Sequence, residues 1–210
     1  MEKLGKITLY NADCMEIMKG FADKQFDLCI VDPPYGIGAE NHAGKKENGW
    51  NQWEKKGWDS KTPDKTYFNE LFRVSKNQII WGGNYMTDSL YPSMGWVIWD
   101  KGQRDFSLAD GEMAWTSFNK AMRIWDYSRA KNLSEKRIHP TQKPVALYKW
   151  ILDKYAKQGQ TILDTHLGSG SSAIAAHDYG YEFTGIELDE EYYNAAKERL
   201  ILHQRQLNLF

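Results

Sequence analysis

Apolar positions along the chain follow two alternating periods. Residues 6–10, 26–31, 78–81, 96–99, 112–118, 161–164 and 182–187 are short runs rich in aliphatic and aromatic side chains, the signature of strands. Between them, apolar residues recur every three or four positions. In 66–76, Phe68, Leu71 and Phe72 fall on one helical face. Residues 144–157 open on Pro144, a favourable first-turn residue. Further helices are expected at 14–20, from Ser171 to about 179, and at 190–206. Strands alternating with helices predict an α/β sheet covered by helices on both faces. Two stretches escape the pattern: 38–65, polar and holding Trp50, Trp53 and Trp58, and 119–143, which is basic. Long excursions inside a compact domain are commonly functional. The expectation is one domain over 1–210, with an insertion at about 38–65 and a basic segment at about 119–143.

Composition narrows this picture. With 41% hydrophobic residues in 210, a packed core is available. The formal charge of −1 excludes a globally basic coat but not a local basic patch. The two cysteines, Cys14 and Cys29, form no C-x-x-C pair, so neither a metal site nor a disulfide framework is expected. Cys29, inside an apolar strand, reads as a small buried hydrophobe. No apolar run approaches the length of a membrane span, and no basic start leads into a long apolar stretch, so a cytoplasmic protein is expected. Nine Trp residues imply either large core anchors or exposed aromatic surface for a ligand. Trp81, Trp96, Trp99 and Trp115 lie in expected strands and are assigned to the core.

Two motifs carry chemistry. Asp164-Thr165-His166-Leu167-Gly168-Ser169-Gly170-Ser171 joins a short strand to an Ala-rich helix. Gly168 and Gly170 allow a tight turn and close backbone approach, and the helix start offers free N–H groups. Some twenty residues on, strand 182–187 ends at Glu187, an acid placed to meet ribose hydroxyls. The turn by itself fits nucleotides in general, NAD included. The second motif decides between them. Strand 26–31 runs into Asp32-Pro33-Pro34-Tyr35. Two prolines fix the backbone, leaving the Asp32 carboxylate and the Pro33 carbonyl as acceptors at a strand end, beside a flat ring. Two acceptors and a stacking ring suit an extruded base with an exocyclic amino group.

Together these segments resemble the S-adenosylmethionine-dependent DNA amino-methyltransferases, in the permuted order that puts the catalytic motif before the cofactor motif. Asp32 to Tyr35 matches the catalytic motif, and His139-Pro140-Thr141-Gln142-Lys143-Pro144 the segment ahead of the cofactor loop. Asp164 to Ser171 matches the cofactor loop, Gly185-Ile186-Glu187 the ribose strand, and Asn11-Ala12-Asp13-Cys14 an N-terminal segment near the adenine of the cofactor. The resemblance implies a mostly parallel, seven-stranded Rossmann-like sheet with an antiparallel hairpin at one edge. It also implies methyl transfer to a flipped base, with an Asp at the first motif position more typical of adenine N6 and a Ser of cytosine N4. Catalysis would fall to Asp32, Pro33, Pro34 and Tyr35. Cofactor contacts would come from Asp13, Cys14 and Asp32; from Thr141 and Lys143 at the methionine end; from Asp164, His166, Gly168, Ser169, Gly170 and Ser171 in the loop; and from Glu187 and Leu188. The family's loop usually reads Asp-Pro-Phe, where this chain has Asp164-Thr165-His166, so a role for His166 toward cofactor or DNA stays open.

Residues 119–143 hold seven basic and two acidic side chains, a local charge of +5. Arg123, Arg129, Lys131, Lys136 and Arg137 are candidates for phosphate contacts with double-stranded DNA. In the insertion, Lys45, Lys46, Trp50, Trp53 and Trp58 are candidates for closing over the target base, and the Trp residues serve equally well as anchors to the domain. A homodimer would widen the footprint. Methylation of RNA or of a protein glutamine, a nicotinamide dehydrogenase, and a catalytically silent nucleic-acid-binding module remain the rivals.

Overall fold

The computed structural model describes residues 1–39, 56–104, 109–128 and 137–207. Nine strands form one sheet: β1 Glu2–Leu4, β2 Ile7–Asn11, β3 Phe26–Val31, β4 Ser75–Trp81, β5 Trp96–Asp100, β6 Gly111–Thr116, β7 Arg123–Asp126, β8 Thr161–Asp164 and β9 Glu182–Glu187. Their order is β1-β2-β9-β8-β3-β4-β6-β5-β7. The run β2-β9-β8-β3-β4 is parallel, β1 pairs antiparallel with β2, and β6 pairs antiparallel with both β4 and β5. The expected α/β sheet is present with two strands more than the seven expected. Both additions are edge strands, where one side needs no apolar partner. β1 has three residues, and β7 is largely exposed, so neither writes an apolar run into the sequence.

Five α-helices accompany the sheet: α1 Cys14–Met18, α2 Lys65–Val74, α3 Val145–Tyr155, α4 Ser171–Asp178 and α5 Glu190–Leu207. Asp64 caps α2, accepting from the Thr66 and Tyr67 N–H groups at 2.9 and 3.3 Å. Helix α2 passes into β4 at Ser75 without a loop, two residues before the periodicity runs out. Strand alternation divides the core into two layers. Leu28, Ile30, Ile79 and Trp81 face α3, α4 and α5 through Leu147, Ile151, Ala173, Ala176 and Leu200. Cys29, Val31, Ile80 and Trp115 face α1 and α2 through Met18, Phe68 and Leu71. Cys29 is a wholly buried core residue, as its strand position requires. Trp81, Trp99 and Trp115 are buried, whereas Trp96 is half-buried at the margin. Among the described residues no helix is long and apolar enough to cross a membrane.

Parallel strands bring their carboxyl ends to one edge of the sheet, and loops leaving that edge build ligand sites. Asn11, Glu187, Asp164, Val31 and Trp81 end their strands there. Antiparallel β6 begins at the same edge where β5 ends, so Glu112 and Lys101 join it.

Candidate active site

The loop after β3 is held by a residue far from the motif itself. Asp59 is buried, and its Oδ1 accepts from the backbone N–H of Tyr35 at 2.7 Å and of Gly36 at 2.8 Å. Its Oδ2 accepts from the Ala39 N–H at 2.7 Å. Three backbone donors that two prolines leave without strand partners thus converge on one carboxylate, fixing the Asp32–Tyr35 turn. Gly82, at the end of β4, sits in the left-handed region, and a Cβ there would lie 2.1 Å from a Tyr35 ring carbon. Only glycine lets the ring lie down at this point.

Asp32 is engaged on both oxygens. Oδ1 accepts from the Tyr35 hydroxyl at 2.7 Å and Oδ2 from the Lys143 ammonium at 2.6 Å. Lys143 also reaches Glu112 Oε2 at 3.0 Å and Tyr35 Oη at 3.1 Å. Those three acceptors match the three donors of an ammonium group. Glu112 in turn pairs through Oε1 with Lys101 at 2.7 Å. Burial raises the Asp32 carboxyl above the usual range; Lys143 pulls it down, and Glu112 adds to the rise. For Glu112, burial is outweighed by the Lys143 and Lys101 ammonium groups, which hold it at about 2. Burial works against the charge of Lys143, but Asp32 and Glu112 prevail and raise it. Lys143 is therefore a buried cation locked to two carboxylates. All three of its donors are engaged within the protein, on Asp32, Tyr35 and Glu112.

Beside the network opens a cleft of about 660 Å³, lined by the Asp32–Tyr35 turn, Tyr85, Trp58, Trp99, Arg137 and Thr141 among others. The Tyr35 ring is stacked on Tyr85, with centroids 5.3 Å apart and planes 17° from parallel. Tyr85 is 47% exposed, so the outer ring of the pair faces the opening. Tyr85, Asp59, Glu112 and Lys101 were not found by motif. They come from three separate segments, and only strand pairing and loop closure bring them to Asp32.

The other half of the edge is built from local motif chemistry. Glu187 Oε2 accepts from the Gly168 N–H at 2.8 Å and Oε1 from the Asp189 N–H at 3.0 Å. Each carboxylate oxygen keeps a second lone pair for a hydroxyl. Asp13 caps α1 by accepting from Met15 N–H at 2.8 Å, and Leu188 beside it is 71% exposed. Asn11 steadies the strand end by donating to the Glu187 and Leu188 carbonyls. A carboxylate with free lone pairs, an acid at a helix start and an exposed apolar side chain form a donor set that fits a nucleoside. Gly170 opens α4 in the left-handed region, with Ser169 and Ser171 buried next to it. Asp164 lies under the loop, accepting from Ser172 Oγ at 2.6 Å and His166 N–H at 3.0 Å. Burial pushes it up to about 7. His166 points to Thr165 Oγ1, 3.0 Å from its Nδ1, and packs edge-on against Tyr67. Burial lowers it to about 4, so it is a neutral ring at pH 7. Burial drives the half-buried Cys14 thiol up to about 12, so it is no nucleophile.

Residues 98–198 match the family model described as DNA methylase. The type II methyltransferase M2.DpnII of Streptococcus pneumoniae is 25% identical over 244 aligned positions, covering 93% of this chain and 90% of that protein. By these matches the chain resembles the N4/N6 DNA methylases. The chain shares its fold with M1.HpyAVI, solved as its SAM complex, at a TM-score of 0.62 and 22% identity, over 92% of this chain and 99% of that one. It likewise resembles the cytosine-N4-specific PvuII DNA methyltransferase, at 0.60 and 13%, over 97% and 95%.

The remaining candidate residues divide by position. Arg137 lines the cleft, and Trp58 lines it while packing against His139, 5.5 Å away. His139 packs on Tyr192 and covers Gly168, so Trp58 is at least an anchor. Thr141 Oγ1 lies 3.2 Å from His139 Nδ1. Arg123 pairs in register with Val97, at the start of β5, and influences Tyr155 at the end of α3. It is therefore at the opposite end of the sheet from the cleft that Arg137 lines. Lys143, counted in the basic segment, is buried. Lys45, Lys46, Trp50, Trp53, Arg129, Lys131 and Lys136 lie outside the described residues.

Proposed function

We propose that this protein is a DNA amino-methyltransferase that transfers a methyl group from S-adenosylmethionine to the N6 amino group of an adenine flipped out of double-stranded DNA. The observation that carries the reading is the position of Asp32. It directly follows β3 and lines the cleft, at the same sheet edge as Asp13, Gly168 and Glu187. Glu187 would hold the ribose hydroxyls, and Leu188 and Asp13 the adenine end. When bound, S-adenosylmethionine supplies a sulfonium methyl: the amino nitrogen lone pair forms the new N–C bond, the C–S bond breaks with its pair to sulfur, and one N–H proton is lost.

This chain's own part is orientation and electrostatics. The amino group would donate to the Asp32 carboxylate and to the Pro33 carbonyl, which draws electron density onto nitrogen and keeps its lone pair directed. The base would take Tyr85's place on the Tyr35 ring, a stacking contact worth about 1–3 kcal/mol. Arg137, on the cleft wall, would meet a phosphate or a base edge. The first motif position is Asp, which supports adenine over cytosine N4. A homodimer would bring a second such cleft to the duplex. The test is expression in a methylation-free host followed by sequencing that detects modified bases. N6-methyladenine at a defined motif is expected; N4-methylcytosine would move the assignment to cytosine, and unmodified DNA would overturn the reading.

A further inference from the structure

We propose that Glu112 is a positioning residue for the transfer: anchored by Lys101, it shares the Lys143 ammonium with Asp32 and so sets how far Asp32 is free to accept the target amino group. This rests on the amino-methyltransferase reading of the site. Four charges of alternating sign run Asp32, Lys143, Glu112, Lys101, with successive contacts of 2.6, 3.0 and 2.7 Å. They come from the loop after β3, the residue before Pro144, the start of β6 and the residue after β5. An amino group arriving at Asp32 would share the carboxylate with Lys143 and Tyr35, and a carboxylate held more tightly by Lys143 has less negative charge to offer it. The Lys143 side chain is 2% exposed, so a cation released there has no water to turn to. Glu112 is the acceptor already in place. Lys101 occupies its other oxygen, so Glu112 can hold Lys143 without leaving a net negative charge beside the base. The motif Asp32–Tyr35 alone does not explain why two further charged side chains from the β5–β6 pair reach into this network.

A merely structural role, clamping β5 and β6 to the sheet, would lower stability in any variant of the pair. A positioning role makes the two partners act in opposite directions. Asp32 is faced by Tyr35 from its own loop, Lys143 before α3, Tyr148 on α3, Glu112 on β6 and Asp164 on β8. In Glu112→Gln, Lys143 belongs to Asp32 alone and one negative neighbour is gone. The Asp32 carboxyl then titrates lower, by roughly one pH unit. Its tighter pairing lowers kcat by roughly tenfold, with the KM for S-adenosylmethionine within about twofold. In Lys101→Met, Glu112 draws Lys143 away and the Asp32 titration moves up. Glu112→Asp should return the profile toward wild type.

The experiment follows the Asp32 carboxyl by 13C NMR across pH in the whole protein, beside kcat against pH. Opposite shifts in the two variants support the proposal. Same-direction shifts, or no shift, overturn it. Should Glu112→Gln fail to fold, Lys101→Met alone decides, and an Asp32 titration at or below the wild-type value overturns the proposal. The NMR arm needs no turnover. A wild-type protein without methyl transfer would sink the functional reading, and the two variants would still be distinguishable by their carboxyl titrations.

Discussion

The two halves of the sheet edge are built on different principles. Around Asp32, charged side chains meet one another: two carboxylates, two ammonium groups and a phenol, contributed by elements up to 111 residues apart in sequence. Around Gly168, side chains meet backbone: Glu187 takes the Gly168 and Asp189 N–H groups, and Asp164 takes that of His166. The first half is a charge network with a cleft beside it, the second a shaped surface with acceptor capacity left over. A network can be reweighted by an arriving group, whereas a backbone cradle is set once the chain has folded. That division suits a reaction in which one ligand is held still and the other must be accepted at a polar centre.

The largest expected effect comes from breaking the network at its centre. Asp32→Ala should lower methyl transfer by roughly 10²–10⁴-fold. Binding of S-adenosylmethionine, followed by calorimetry, should persist, because the Glu187 side is untouched. Loss of both together would show that the two halves fold or bind as one. Next in size is the support beneath the network. Asp59→Ala leaves the Tyr35, Gly36 and Ala39 N–H groups without their acceptor, at a cost of about 1–3 kcal/mol for each donor that water does not reach. Turnover should fall by roughly 10–100-fold with a smaller change in cofactor affinity, since a misplaced Asp32 is an orientation defect. Chemical denaturation and steady-state kinetics read the two effects separately.

The contrast between halves also decides what the sequence revealed. The edge around Gly168 was legible because Asp164 to Ser171 and Gly185 to Glu187 are contiguous, and backbone-directed contacts are local. The strand-helix alternation showed the sheet for the same reason: periodicity is a short-range property. Asp59 escaped because it lies in a polar insertion with no period. Glu112 and Lys101 escaped because their meeting depends on the antiparallel pairing of β5 and β6. Lys143 was found by motif, but its protein partners Asp32 and Glu112 were not. Its partners are fixed by the length of its side chain and by which carboxylates the fold leaves uncovered. The two edge strands were invisible because an exposed edge demands no apolar alternation.

A smaller effect tests the cradle. Burial holds Asp164 up at about 7, against an ordinary carboxyl near 3.9 in the unfolded chain. Between those values the folded protein binds the extra proton, so this group's contribution is fully present below about pH 4 and is lost as pH rises through about 7. His166 and His139, kept neutral at about 4 and about 3, act in the opposite direction: their contribution is lost as pH falls below about 6.5. The Asp164 part must therefore be read as a difference. The stability gap between wild type and Asp164→Asn should shrink by about 1–3 kcal/mol from pH 5 to pH 8. Thermal melts of both proteins at the two pH values measure it; an unchanged gap would mean that Asp164 is ionised throughout.

The smallest expected effect falls on the segment that joins the halves. Within four residues, Asp59 grips the catalytic turn and Lys56 reaches the far end of β9, pairing with Asp189 at 2.8 Å and Glu191 at 2.5 Å. Asp189 is the residue whose N–H binds Glu187, so Lys56 lies one contact from the acid proposed to hold the ribose. Its partners are partly solvated, and such pairs contribute about 0–1 kcal/mol. Lys56→Met should therefore leave stability nearly unchanged and raise the KM for S-adenosylmethionine by less than about fivefold, with kcat retained. High salt should erase most of the difference between Lys56→Met and wild type, because a partly exposed ion pair is screened. If kcat fell instead, as expected for Asp59→Ala, the segment would have to act as a rigid bridge that carries strain from the cradle to the network. The split between KM and kcat in these two variants, three positions apart, is thus the sharpest measure of how independent the two halves are.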